Sequence, residues 1–544
     1  MPLLVVEAEA PASSLLSPSR PDFAKLRRPW SILDRPALLI SGLTLLALLI
    51  QGYHPYVDDA AIYLAGIEKV VHPSLFGVHA EFVLPHLKHS IFSLALGWLI
   101  RGLHIPLQYT IFISYVASLW MMIYSCWRLT RQLFSTPRAR AGALLLITAT
   151  LTLPVAGSAI FILDPYLTAR SFSTPLTLLA IAYALERRML ASTLCLAAAF
   201  ILHPLMAAYA IGYVVALSLV RAQRWRTLAI AAAAVMLLGF AACHAGALLG
   251  ASPAYRVATV SRDYFFLDKW EWFEIFGLFP PLLAAVLYLS RGRFRLRSNY
   301  SLIAAVSLYV GALAILFAVC YTRTDDSFLL ARLQVLRSFQ IIYILFFLLL
   351  GSLLGQYVLR RRWWAWAGGF TAVAALMFAV QLSLYPALKH LEWPWARSHN
   401  PWGQAFLWIR NNTPPDAYFA LDPYYQQQPQ EDTLGFRAMT ERSVLPDWSK
   451  DGGVAAIDPA LAQQWWHQMN QTKDFSHWND FQRIQTLAPY GVNWVVLPAS
   501  MPTQFACPYQ NAAVRVCHLP ADIAFLSQPS STPRPSRPSR PSRP

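Results

Sequence analysis

The stretch GYHPYVDDAAIYLAGIEKVVHPSLF, residues 52–76, sets Asp58 and Asp59 side by side directly after a run of leucines. Carboxylates near an apolar phase are costly to desolvate, so an adjacent pair there asks for a chemical reason. A third acid, Asp164, stands in ILDPYLTARSFSTP with Arg170 six residues on. His203 follows in LHPL, Arg262 in SRDYFF, and Arg332 and Arg337 in LARLQVLRSFQ. Acids come first along the chain and arginines mainly later. A carboxylate takes the proton of a hydroxyl as that oxygen attacks carbon. Guanidiniums hold the charge that builds on a departing phosphate. Phosphate is already a competent leaving group, so no second acid is needed. The candidate catalytic residues are therefore Asp58, Asp59 and Asp164. The candidate ligand-binding residues are Arg170, His203, Arg262, Arg332 and Arg337, with His54 and Tyr63 from the first stretch.

Each residue also has a plainer reading. Aspartate favours helix N-caps, and a helix is expected from Ala60; Asp59 is the expected cap, which leaves Asp58 to face a cavity. His54, His72, His79, His86 and His89 read as interfacial histidines, since their spacing matches no tight metal-ligand motif. No cofactor is required by the pattern, and a divalent metal ion is the candidate left open. Arg170, Arg332 and Arg337 could anchor helix ends or phospholipid headgroups, and His203 before Pro204 reads as a helix-end residue.

The elements that must position these residues belong to a membrane. The chain has 544 residues, 56% hydrophobic and 13% charged, against about a quarter charged in soluble proteins. Apolar stretches such as 37–50, 141–163, 228–250, 301–320 and 341–354 approach or reach spanning length. The net charge of +16 falls in short arginine clusters between apolar runs, which is a topology signal and not a nucleic-acid surface. With the clusters at 20–35, 128–140, 187–188, 221–226, 291–297 and 360–362 all cytoplasmic, eleven spans are expected. They are 36–52, 107–127, 141–162, 174–186, 189–202, 205–220, 227–250, 275–290, 299–320, 339–358 and 364–387. Residues 89–103 are expected to lie at the interface without crossing.

Four regions follow: a disordered cytoplasmic tail, 1–35; a transmembrane domain, 36–388, with its first outer loop at 53–106; a small extracytoplasmic α/β domain, 389–527; and a disordered Ser-Arg-Pro tail, 528–544. The α/β reading rests on strand-like DAYFALD, GVNWVVLP and AVRVCHL and helix-like NPWGQAFLWIRNNTP. Residues 1–29 carry acids and prolines before any apolar run and do not read as a cleavable signal peptide. Cys507 and Cys517 in the outer domain are a disulfide candidate.

A carboxylate pair just after the first transmembrane helix, followed by an interfacial segment, resembles the membrane-embedded GT-C glycosyltransferases. ILDPYLTARSFSTPL, ILHPLMAAYA, SRDYFFLDKWEWFE, LARLQVLRSFQIIY and the outer-domain WIRNNTPPDAYFALDP and GFRAMTERSVLPDW look like an uncharacterised bacterial branch of that superfamily. The resemblance implies a GT-C-like helical membrane fold in the bacterial cell membrane. It also implies a polyprenyl-phosphate-linked sugar donor, inverting transfer, and a glycan, lipid or protein acceptor. Asp58 or Asp59 would match the first-loop catalytic acid, Asp164 the second-loop acid, and Arg332 and Arg337 the lipid-phosphate binders. Two features depart from the family: QQWWHQM lacks the Asp of a Trp-Trp-Asp signature, and the first loop is rich in histidine. The rival classes are a non-catalytic assembly protein of the cell envelope and a transporter. A transporter would need polar residues at the bilayer midplane, where the expected spans are nearly free of charge.

Overall fold

The computed structural model describes residues 35–291, 296 and 298–520. Residues 1–34 of the expected tail 1–35, residues 521–527 of the expected outer domain, the expected Ser-Arg-Pro tail 528–544, and residues 292–295 and 297 of the 291–297 arginine cluster lie outside the described residues. The chain is α-helical, with seven helices long and apolar enough to cross a membrane among the described residues: Leu107–Leu133, Pro204–Arg221, Trp225–Leu248, Trp272–Arg291, Asn299–Tyr321, Leu329–Leu359 and Trp363–Leu384. They coincide with seven of the expected spans. The remaining four expected spans correspond to shorter helices: Pro36–Gln51, Pro137–Ala149, Ala169–Leu185 and Met189–Leu202.

One of these corrects the expectation directly. The span expected at 141–162 is helical only to Ala149; its 13 residues make about 20 Å of helix at 1.5 Å per residue. Thr150 Oγ1 bonds back to the Leu146 carbonyl (2.8 Å), and Pro154 cannot supply a helical N–H. Residues 150–168 instead fold as a loop, with Val155 N bonded to Ile160 O (2.9 Å) and Ile162 N to Leu153 O (3.0 Å). The segment 89–103 forms the helix Phe92–Leu103, packed against the amphipathic helix Ala60–Val71.

Past residue 400 stands a small α/β unit. Its five strands are β1 (Tyr418–Ala420), β2 (Ser443–Val444), β3 (Trp494–Pro498), β4 (Tyr509–Gln510) and β5 (Val514–His518), in the order β2-β1-β3-β5-β4. β1 runs parallel to β2 and β3, while β5 is antiparallel to β3 and β4. Alternation along the strands fills two faces. Phe419, Trp494, Val496, Val514 and Val516 join one core with the helix Pro401–Asn412. Tyr418, Ala420, Val495, Leu497 and Cys517 join another with Ile484 and Leu487. Cys507 and Cys517 form a disulfide. The first core also takes in Val57, Ala60 and Tyr166 from the membrane region. A third core interleaves Tyr255, Phe266 and Phe328 with Val454 and Trp465. The sheet unit thus shares its packing with the loops that carry the candidate site.

Candidate functional site

Helix Pro36–Gln51 stops at Gly52, whose φ of +78° suits glycine, and a Cβ there would lie 2.4 Å from the His390 carbonyl. The chain then runs extended: Tyr53 N bonds His390 O (2.9 Å), and Asp58 N bonds Thr433 O (3.0 Å). Asp58 itself is left-handed, at φ +51°, a conformation that aspartate tolerates better than most residues. Asp59 occupies the cap position of helix Ala60–Val71, yet its side chain makes no capping bond. That corrects the expectation that Asp59 is spent as a cap. Both carboxylates are free for other partners.

Those partners form an alternating chain of charge. Lys450 Nζ lies 2.5 Å from Asp58 Oδ1 and 3.9 Å from Asp59 Oδ1. Arg170 Nη2 lies 2.9 Å from Asp59 Oδ2 and 3.0 Å from Asp164 Oδ2. Thr168 Oγ1 and Arg170 Nε also donate to that Asp164 oxygen. Arg170 sits in the first turn of Ala169–Leu185, where Ser171 Oγ accepts the Thr168 N–H (3.0 Å) and fixes the helix start. Burial alone would push the Asp59 carboxyl up, but Arg170, Lys450 and Arg337 outweigh it and hold it well below the usual carboxylate range. Asp164 goes the other way: burial, with Asp59 nearby, raises it against the pull of Arg170. Asp58 Oδ2 has no hydrogen-bond partner among the described residues.

These groups border a cavity of about 630 Å³ lined by Asp58, Asp59, Tyr63, Arg170, His203, Arg262 and Arg337, with Lys450 from the sheet unit. The broken segment 150–168 supplies Pro154, Ala159, Ile160, Phe161 and Tyr166. Arg337 is buried, donates to Ser158 O (3.2 Å) and lies over the Tyr264 ring (5.3 Å). Arg262, also buried, donates to the carbonyls of Trp448 and Ser449, each at 2.7 Å. Neither guanidinium has a carboxylate within ion-pair distance among the described residues, although Asp59 acts on Arg337, and Asp447 and Asp263 on Arg262, from farther away. His203 accepts the Met206 N–H at Nδ1 (3.4 Å). Burial, with Arg170 and Arg337 close by, lowers its pKa to about 3, and burial lowers His86 to about 4. Both imidazoles are neutral near pH 7.

Three candidates lie elsewhere. Asp164 sits behind Arg170 and does not line the cavity. His54 is buried against Tyr385 (4.4 Å between rings) and pairs with Glu392 at 3.4 Å. Arg332 donates to the Ile457 carbonyl (2.8 Å) and does not reach the cavity wall. Lys450 was missed by sequence reasoning. It lies 392 residues from Asp58, in SKDGG, which reads as an ordinary polar turn. Among the described residues, no group of three or more His, Cys, Asp or Glu side chains is placed to hold a metal ion.

No family model matches the chain, and no curated protein matches it. Among solved structures, the apo form of an Archaeoglobus fulgidus oligosaccharyltransferase is similar at 12% identity and a TM-score of 0.41, covering 86% of this chain and 70% of that one. The same protein in complex with Zn and sulfate is similar at 13% identity and a TM-score of 0.36, covering 85% and 68%.

Proposed function

We propose that the chain is an inverting membrane glycosyltransferase that moves a sugar from a polyprenyl phosphate to an acceptor hydroxyl on the extracytoplasmic side. One observation carries the reading. A single cavity holds a carboxylate with a free oxygen, Asp58 Oδ2, and two guanidiniums without carboxylate partners, Arg262 and Arg337. The volume suits a sugar phosphate and part of its acceptor, since small-molecule sites span about 300–1,000 Å³.

In the proposed step Asp58 Oδ2 takes the acceptor's hydroxyl proton while that oxygen bonds to the sugar C1. The C1–O bond to phosphate breaks, its electron pair stays on the phosphate oxygen, and Arg337 and Arg262 stabilise that charge. Attack from the side opposite the phosphate inverts C1. Asp59, held ionised by its cations, keeps Arg170 in place, and buried Asp164 holds the other side of that guanidinium. Arg332 is removed from the phosphate site in this reading, because the Ile457 carbonyl occupies it.

The test is turnover of a panel of labelled polyprenyl-phosphate sugars by the purified protein. Asp58→Asn should lower transfer by about a hundred- to ten-thousand-fold while its melting stays near wild type. Asp58→Asn and Asp59→Asn variants that both retain full activity would remove the reading's main support.

A further inference from the structure

Lys450 takes its place beside the acids through a device that spans the whole interface. Its helix, Lys450–Ile457, is tied to Asp447, whose Oδ1 accepts the backbone N–H of Lys450 (2.5 Å) and of Asp451 (3.2 Å). Ahead of the helix, Arg262 holds the Trp448 and Ser449 carbonyls. At its far end Tyr255 Oη donates to Ala456 O (3.1 Å) and Arg332 to Ile457 O (2.8 Å). Three side chains of the membrane region therefore clamp one short helix of the sheet unit at both ends, and its first residue is Lys450.

We propose that Lys450 is the positioning residue of the Asp58–Asp59 pair and that its ammonium fills the place a divalent cation would otherwise take, so the site works without one. This rests on the reading of the pair as the working carboxylates. Oxygen by oxygen, the donor set does not suit a metal ion. Asp58 Oδ1 faces Lys450, Asp59 Oδ1 faces the same ammonium at 3.9 Å, and Asp59 Oδ2 and Asp164 Oδ2 face Arg170. At the pair Asp58 Oδ2 and Asp59 Oδ1 are without a hydrogen bond among the described residues, two oxygens at most, whereas Zn²⁺ needs about four ligands and Mg²⁺ or Ca²⁺ six or more. An ion there would also sit beside two fixed positive charges.

The ammonium does what the pair requires. Two adjacent carboxylates repel, and one would hold its proton unless a cation compensates both. Lys450 does so through Oδ1 atoms and leaves Asp58 Oδ2 open to a hydroxyl. Its own charge is secure: burial disfavours the ammonium, but Asp58 and Asp59 outweigh that and raise its pKa.

The experiment reads metal binding and needs no knowledge of the donor, so its failure is separate from failure of the transferase reading. Full-length protein in nanodiscs is titrated with Mn²⁺ and followed by electron paramagnetic resonance. Wild type is expected to show no site that the double variant Asp58→Asn/Asp59→Asn lacks. Lys450→Met is expected to gain one Mn²⁺ site, which vanishes when Asp58→Asn and Asp59→Asn are added. Lys450→Arg should exclude the ion as wild type does. A purely structural lysine would not create a metal site on removal. A wild-type Mn²⁺ site that depends on the pair overturns the proposal, and so does a folded Lys450→Met that gains none. Should Lys450→Met fail to fold, Lys450→Gln is judged by the same two outcomes, and the wild-type titration stands alone as a third measurement.

Discussion

At His203 the following helix decides the chemistry of one side chain. Because Nδ1 accepts the Met206 N–H, the neutral ring carries its proton on Nε2 and can offer it to a ligand in the cavity as a hydrogen bond. It cannot offer a charge. With a folded pKa of about 3 against about 6.5 ordinarily, the unfolded chain holds the extra proton between those values, so this residue's contribution to stability falls as pH falls through that window. Asparagine also caps helices well and does not titrate. The melting temperature of His203→Asn should therefore rise relative to wild type as the pH is taken from 7 to 5. A gap that does not change with pH would refute the burial argument. The residue scale also shows what was legible. Asp58, Asp59, Arg170, Arg262, Arg337, Tyr63 and His203 were visible in sequence because charge and imidazole are conspicuous between apolar runs. Lys450 was not, because a lysine in a polar turn carries no mark of its partner.

Helices and loops explain the remaining gaps. The apolar run at 141–163 gave no sign that its helix would end at Ala149, since composition measures hydrophobicity and not continuity. Only Pro154 and the threonines at 150 and 152 hint at the break, and the loop they start supplies one wall of the cavity. Arg332 and Arg337, five apart, looked like one phosphate-binding pair. Short helices with left-handed residues before each, Phe328 and Gln334, turn them apart, one to the Ile457 carbonyl and one to the cavity. The Lys450 helix makes a prediction at this scale. A Cβ on Gly452 would lie 2.9 Å from Arg262 Nη2 and 2.8 Å from the Trp465 ring, while one on Gly453 meets nothing within 4 Å. Gly452→Ala should overpack the contact, costing about 1–3 kcal/mol, and shift Lys450 from the acids. Gly453→Ala should melt as wild type does or slightly higher. Equal melting of the two variants would show that the clamp is loose.

Across the molecule four of the arginine clusters, far apart in sequence, gather at one end of the helices. Arg128 pairs with Glu186 at 2.6 Å, beside Arg187 and Arg188. Arg221 donates to the Ala184 carbonyl (2.7 Å), Asn299 to that of Gln132 (3.2 Å), and Thr136 to Gln356 (2.6 Å), four residues before Arg360. These contacts join the clusters at 128–140, 187–188, 221–226 and 360–362 into one basic rim. Lysine and arginine concentrate on the cytoplasmic side of membrane proteins, so the rim would be inside, while the cavity and the sheet unit belong to the loops at the other helix ends. The Cys507–Cys517 disulfide agrees with that direction, because such bonds persist in oxidising compartments. Reporter fusions after Arg138 and after Glu392 should then label opposite faces of the membrane, and alkylation without reductant should leave both outer-domain cysteines unmodified. Labels on one face would refute this topology and with it a site open to the outer leaflet, and free thiols at 507 and 517 would refute the disulfide.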